Sequence, residues 1–242
     1  MWKIMPRFFI DAPPVDTFII TGADAKHAAA SLRIRPGEAV TLCDGNKMDY
    51  NCICTFADAA QVGLKVIDFV PSPAEPSCEI ALFQCLPKGD KMDEIIQKSV
   101  ELGVAKIIPV LSQRCISRPD GKALAKRAER WNKISKEAAM QSGRGIIPTV
   151  ENCVDFDIAV SMMSKGNCPI LLYEQEKNVK LSKAELASGC SILVGPEGGI
   201  SKDEARLAAK LKIKHVTLGP RILRTETAGP AAIAIINFIM EA

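Results

Sequence analysis

The sequence lacks any long apolar run: the longest, such as Ile80–Phe83 and Ala231–Ile236, fall far short of the ~20 residues that a bilayer crossing needs. Its start, Met1-Trp2-Lys3-Ile4-Met5-Pro6-Arg7, has no apolar h-region and no small-residue cleavage site, so no signal peptide is expected. Histidine is scarce, with only His27 and His215, and none of the nine cysteines forms a C-x-x-C pair. A structural zinc site, or any other metal, is therefore not expected. Nine is an odd number, so the thiols cannot all pair within the chain, and several sit in apolar runs, as Cys85 does in Leu82–Leu86. They read as reduced, mostly buried thiols of a cytoplasmic protein. A dominant charge of one sign is also missing. The 31 basic and 28 acidic side chains leave +3, which gives nucleic-acid binding no support by itself.

What is present is an ordinary globular composition, 48% hydrophobic and 24% charged, over 242 residues. That suits one or two domains and excludes a disordered chain or a disulfide miniprotein. The stretch Val70–Ser77 holds Pro71, Pro73 and Pro76 with little to bury, and reads as an extended linker at the domain boundary. Before it lie short β-type runs at Arg7–Ile10, Thr17–Ile20, Ala39–Cys43, Tyr50–Phe56 and Val62–Phe69, with one short helix at Ala23–Leu32. They predict a small β-barrel over residues 1–72. After it, strands at Glu79–Leu86, Lys106–Leu111, Ile147–Val150, Pro169–Glu174, Ser191–Val194 and His215–Leu218 alternate with helical stretches. Those helices are expected at Asp90–Leu102, Asp120–Gln141, Phe156–Ser164, Lys202–Leu211 and Ala228–Met240. The alternation predicts an α/β domain with a mostly parallel sheet over residues 73–242.

Charge is unevenly spread. Residues 1–70 hold 7 basic and 8 acidic side chains, whereas residues 85–145 hold 13 and 7. The basic stretch is compatible with a solvated, salt-bridged helix face and with a phosphate-contacting surface.

Open parallel sheets bind ligands beyond the carboxyl ends of their strands, which makes the loops after strands the places to look. Leu193–Ser201 runs from an apolar strand through Gly195, Gly198 and Gly199 to a helix start, where Ser201 and Glu204 fit a capping box. Its spacing matches neither a dinucleotide fingerprint nor a P-loop. Leu218–Ala228 combines a Gly-Pro turn with Arg221, Arg224, Glu226 and two threonines. A tight turn accounts for either loop alone; two of them after neighbouring strands point to a pocket. Pro87–Lys91 and Glu137–Arg144 are two further candidate turns.

These residues resemble the RsmE family, ribosomal RNA methyltransferases that modify N3 of a uridine in 16S rRNA of the small subunit. The similar segments span nearly the whole chain. They are Met5–Phe9, His27 through Arg33, Pro36–Glu38, Lys88–Met92, Lys98 through Val104, and Glu137–Ala139 with Gln141–Arg144. The most specific are Gly195–Gly199 and Leu218–Ala228. The resemblance implies a SPOUT methyltransferase domain with a C-terminal trefoil knot, preceded by a PUA-like barrel that binds RNA. It also implies a homodimer and S-adenosylmethionine held by three loops: Leu172, Tyr173 and Glu174; Gly195, Pro196, Glu197, Gly198 and Gly199; and Leu218, Gly219, Ile222 and Leu223. Departures from the family pattern are Ser99, the pair Gly229-Pro230, and Met1–Ile4, which reads as a short extension or an upstream start. Pro230 is expected to begin the last helix.

For the chemistry, Arg224 is the first candidate to stabilise a uridine anion as a fixed-fork donor. Glu226 or Glu197 would accept the proton or orient Arg224, and the sequence does not choose between them. Arg7, Arg33, Lys88, Lys91, Arg114, Arg144 and Arg221 are the expected RNA contacts. A ribose 2′-O-methyltransferase of the same superfamily and a non-enzymatic ribosome-assembly factor share many of these features.

Overall fold

The computed structural model describes residues 5–186 and 189–241, so the expected extension Met1–Ile4 lies outside the described residues. The chain divides into two compact units, Met1–Glu75 with Ala139–Ile147, and Pro76–Ala138 with Pro148–Ala242.

In the first unit, β1 (Arg7–Phe9), β3 (Ala39–Cys43), β4 (Met48–Ala57), β5 (Gln61–Pro71) and β2 (Thr17–Thr21) form one sheet in that order. β1 runs parallel to β3 and the other pairs are antiparallel. Alternate apolar residues of the strands, among them Phe8, Leu42, Cys52, Cys54 and Leu64, make the core. The closed barrel expected here is instead a half-barrel: β1 and β2 stand at opposite edges and are not paired with each other. β1 has only three residues and is already paired with β3, while α1 (Gly22–Lys26) packs on β2 and β5. Ala25 of α1 and Ala28 of the π-helical turn His27–Ser31 bury fully in the core.

The proline-rich stretch is not the extended free linker expected: it leaves β5, turns at Pro73–Ala74 and is pinned by hydrogen bonds. Val70 and Pro71 end β5, and the Ser72 N–H donates to the Lys47 carbonyl at 2.8 Å. The Ser72 hydroxyl binds Asp49, which also receives Arg7 at 2.7 and 2.5 Å. At the other junction, Gly145 donates to Glu75 at 2.7 Å and accepts from the Lys47 N–H at 2.9 Å. Arg144 is 2% exposed and ion-paired with Glu75. Arg7 and Arg144 are thus corrections to the expected RNA surface. Each is half of a buried ion pair that spans distant parts of the chain, where its charge is already compensated.

The second unit holds a sheet in the order β12 (Lys214–Val216), β10 (Pro169–Leu172), β11 (Cys190–Val194), β6 (Ile80–Cys85), β7 (Lys106–Leu111), β8 (Thr149–Val150). β9 (Val154–Asp155) also pairs with β7. Every pair is parallel. A parallel sheet is covered on both faces, which is why β11 is buried at all five positions. The helices are α2 (Lys91–Glu101), α3 (Gly121–Ser142), α4 (Phe156–Met163), α5 (Lys183–Leu186), α6 (Lys202–Lys210) and α7 (Thr225–Glu241). The expected capping box is present at α6, where Glu204 and Ser201 bond reciprocally.

The last helix starts earlier than expected, at Thr225, and carries Pro230 inside it. Proline there cannot donate to the Glu226 carbonyl four residues back. The helix tolerates this because its first turn is anchored by Thr225, which is buried and bonded. Among the described residues no helix is long and apolar enough to cross a membrane.

Candidate active site

Leu172 of β10 lies level with Val194 of β11 and Val216 of β12, so these strands deliver their loops to the same end of the sheet. Tyr173 and Glu174 follow β10, Gly195–Gly199 follow β11, and Leu218–Leu223 follow β12. Glu174 and Gly199 meet closely. Gly199 has φ +69°, a conformation an L side chain takes only with strain, and an added Cβ would also have to displace the exposed Glu174 carboxylate, whose Oε1 would stand 2.4 Å away. Thr225 fastens α7 to the β11 loop, its hydroxyl donating to the Gly195 carbonyl at 2.7 Å while accepting from Gln84 Nε2 at 2.9 Å.

The charged groups cluster around Lys91, the first residue of α2. Its ammonium lies 2.9 Å from Glu197 Oε1 and 3.3 Å from Glu226 Oε2. Glu197 also accepts from the Lys88 N–H at 3.2 and 3.3 Å. Burial alone would raise the Glu197 carboxyl, but Lys91 and backbone N–H groups outweigh it and hold it below the usual range. Glu226 is held low by its own backbone N–H and by Lys91 and Arg224. The hydrogen bond to Glu197 in turn raises Lys91. Arg224 reaches Glu226 only at 4.0 Å and leaves 84% of its side chain exposed.

A model of the RNA methyltransferase domain matches residues 74–237, and one of the RNA methyltransferase PUA domain matches residues 20–58. The ribosomal RNA small subunit methyltransferase E of Bacillus subtilis is 32% identical over 250 residues, covering 98% of both chains. Its namesake in Mycobacterium tuberculosis is 30% identical over 243 residues, covering 96% of this chain and 91% of its own. The chain belongs to the ribosomal RNA small subunit methyltransferase E family. The crystal structure of a family member from Neisseria gonorrhoeae, bound to S-adenosyl methionine, matches with a TM-score of 0.88 at 33% identity. The match covers 97% of this chain and 98% of that one. The second unit therefore has the α/β methyltransferase fold.

The residues present suit the cofactor of that Neisseria relative. In the β11 loop, Gly198 and Gly199 leave the backbone bare of side chains, with Gly199 at φ +69°. In the loop after β12, Ile222 is an apolar residue left 83% exposed. A cavity of about 500 Å³ lies elsewhere in this unit, lined by Phe83, Lys106, Met162 and Ser191 among others, and meets none of these loops.

Of the expected RNA contacts, Arg33, Lys88, Arg114 and Arg221 are exposed and Lys91 is occupied by the two glutamates. Arg114 also donates to the Gly198 carbonyl at 2.8 Å, supporting the glycine loop from β7. Sequence reasoning missed Gln84, which holds Thr225. The signal was available: a glutamine inside the apolar run Ile80–Leu86 is a buried polar group in need of partners.

Proposed function

We propose that the chain is an S-adenosylmethionine-dependent methyltransferase that modifies N3 of a uridine in 16S rRNA of the small ribosomal subunit. The observation that carries this reading is the convergence of three loops with the exposed guanidinium of Arg224 at one end of a parallel sheet. The relatives' names supply the reaction class, and the Neisseria structure supplies the cofactor.

Uridine N3 carries a proton and pairs bases, so the target base must be unpaired or flipped out to react. Bound S-adenosylmethionine supplies an electrophilic methyl group on a sulfonium leaving group. Leu172, Tyr173, Glu174, Gly195, Pro196, Gly198, Gly199, Leu218, Gly219, Ile222 and Leu223 would hold it, adenine and ribose against backbone. Arg224 donates to the uracil carbonyl oxygens, where negative charge develops as the N3 proton passes to solvent water. That charge stabilisation lowers the N3 pKa. Glu197 and Glu226 are weak bases because both carboxyls are held low, so their part is to hold Lys91 in place.

We take residues 1–72 as the PUA-like RNA-binding domain and residues 73–242 as the SPOUT domain, although Pro73–Glu75 and Ala139–Ile147 pack with the first compact unit. A trefoil knot in the C-terminal part is supported by the strand order. From β12, beyond β10, residues 218–224 return to β11 before α7 begins. A homodimer is supported by Phe238 and Ile235 of α7, 75% and 39% exposed, which a second copy would cover. Nine free thiols, seven of them buried, accord with a cytoplasmic protein.

Mass spectrometry of 16S rRNA from cells with and without the protein tests the reading. One base-methylated uridine should disappear and return with the purified enzyme on small-subunit particles. A missing 2′-O-methylated ribose, or no missing nucleoside, refutes it. Arg224→Ala should depress methyl transfer at neutral pH more than at alkaline pH, where N3 ionises unaided. Near wild-type rates at both would remove Arg224 from the mechanism.

A further inference from the structure

The four charges at the loop end are not equally committed. Lys91 contacts both carboxylates, Glu197 Oε1 at 2.9 Å and Glu226 Oε2 at 3.3 Å, each from a different segment of the chain. Arg224, two residues before Glu226, approaches it only at 4.0 Å, beyond hydrogen-bond reach, with 84% of its side chain exposed. Glu226 is 15% exposed and its Oε2 is closed off from solvent. A carboxylate so placed needs a cation, and two are within reach.

We propose that Lys91 is a positioning residue that neutralises Glu226 and Glu197, and so keeps the Arg224 guanidinium free for substrate. This rests on the reading of these loops as the methyl-transfer site. It replaces the expectation that Lys91 contacts RNA phosphates, because its ammonium already hydrogen-bonds Glu197 and lies 3.3 Å from the Glu226 carboxylate. Without the ammonium, Glu226 has one remaining cation nearby. Arg224 then closes on it by a short side-chain movement and forms a bidentate pair. The guanidinium would be lost to the substrate although no residue touching the substrate had changed. Lys91 also joins three chain segments, the β6–α2 turn, the β11 loop and the first turn of α7, so its loss loosens their register.

The experiment compares wild type with Lys91→Met, Lys91→Arg and the double variant Lys91→Met/Glu226→Gln. Two readouts are taken: the rate of Arg224 modification by phenylglyoxal, followed by peptide mass spectrometry, and methyl-transfer kinetics on small-subunit particles. Arg224 should react several times more slowly in Lys91→Met, and at wild-type rate in Lys91→Arg and in the double variant. In Lys91→Met, kcat should fall by about a hundredfold with little change in KM for the particle, as for a misplaced reacting group. Unchanged Arg224 reactivity in Lys91→Met overturns the proposal. So does a raised KM with kcat unchanged and a shallower salt dependence, which would return Lys91 to the phosphate surface. If wild type transfers no methyl group, the functional reading fails, while the reactivity comparison still decides the role of Lys91.

Discussion

Arg144 donates from Nε to Glu75 Oε1 at 2.9 Å and from a terminal nitrogen to Oε2 at 3.0 Å, across a sequence separation of 69 residues. With only 2% of Arg144 exposed, the pair ties the exit of α3 to the end of the proline-rich stretch within one unit.

Removing one partner of this pair strands a buried charge, so Arg144→Met and Glu75→Gln should each cost roughly 3–5 kcal/mol, read by urea unfolding. The pH dependence has a definite sign. Burial pushes the Glu75 carboxyl up, but Arg144 and the Gly145 and Ile146 N–H groups more than reverse it and hold it below its ordinary 4.5. A carboxyl lowered on folding contributes stability that is whole above that ordinary value and is lost as pH falls through the depressed one. Arg144→Met should therefore lose stability less steeply than wild type below pH 4.5. Equal acid slopes would show that the pair does not govern this range.

Gly199→Ala should disable the cofactor loop. The added Cβ meets Glu174 Oε1 at 2.4 Å and must occupy φ +69°, which costs an L-residue about 1–2 kcal/mol. Calorimetry should find S-adenosylmethionine binding weakened. Glu174→Ala in the same chain relieves the clash but not the backbone strain, so it should restore binding only in part.

Thr225→Val keeps shape and removes the hydroxyl that joins Gln84 to the Gly195 carbonyl. Gln84 Nε2 keeps its bond to the Cys85 carbonyl but loses an acceptor for its second N–H, and the Gly195 carbonyl loses its donor, which should cost roughly 1–3 kcal/mol. Thermal melting should show the loss, and Thr225→Ser should recover it. A melting temperature equal to wild type for the valine variant would mean that α7 is held by apolar packing alone.

Binding to small-subunit RNA should weaken with salt, and only exposed cations should set the slope. Arg33→Ala and Arg221→Ala should each reduce the slope of log K against log salt by about 1. Arg144→Met should leave it unchanged, because that guanidinium is buried against Glu75. A reduced slope for Arg144→Met would show that the pair opens on RNA.

Much of this was legible in the residues. Strands β3 and β7 fall on the expected ranges, and the α6 capping box follows from Ser201 and Glu204 alone. Such features depend on periodicity and on contacts a few residues apart. The half-barrel was not legible, because a five-strand pattern does not say whether its edge strands meet. The start of α7 was misjudged for a similar reason. Pro230 is a strong local signal, and it is overridden by Thr225, whose partners lie 30 and 141 residues away.

By itself, the sequence determined that there are two parts, the parallel sheet and the loops that follow its strands, because hydrophobic period and turn residues act locally. Tertiary structure decided what each charge does. Arg7, Lys91, Arg144 and Arg224 look alike as cations in a string of letters. Only folding buries two of them against Asp49 and Glu75, sets one between Glu197 and Glu226, and leaves the last exposed. The energy of a charge depends on burial and on the distance to its partner, and both are properties of the fold.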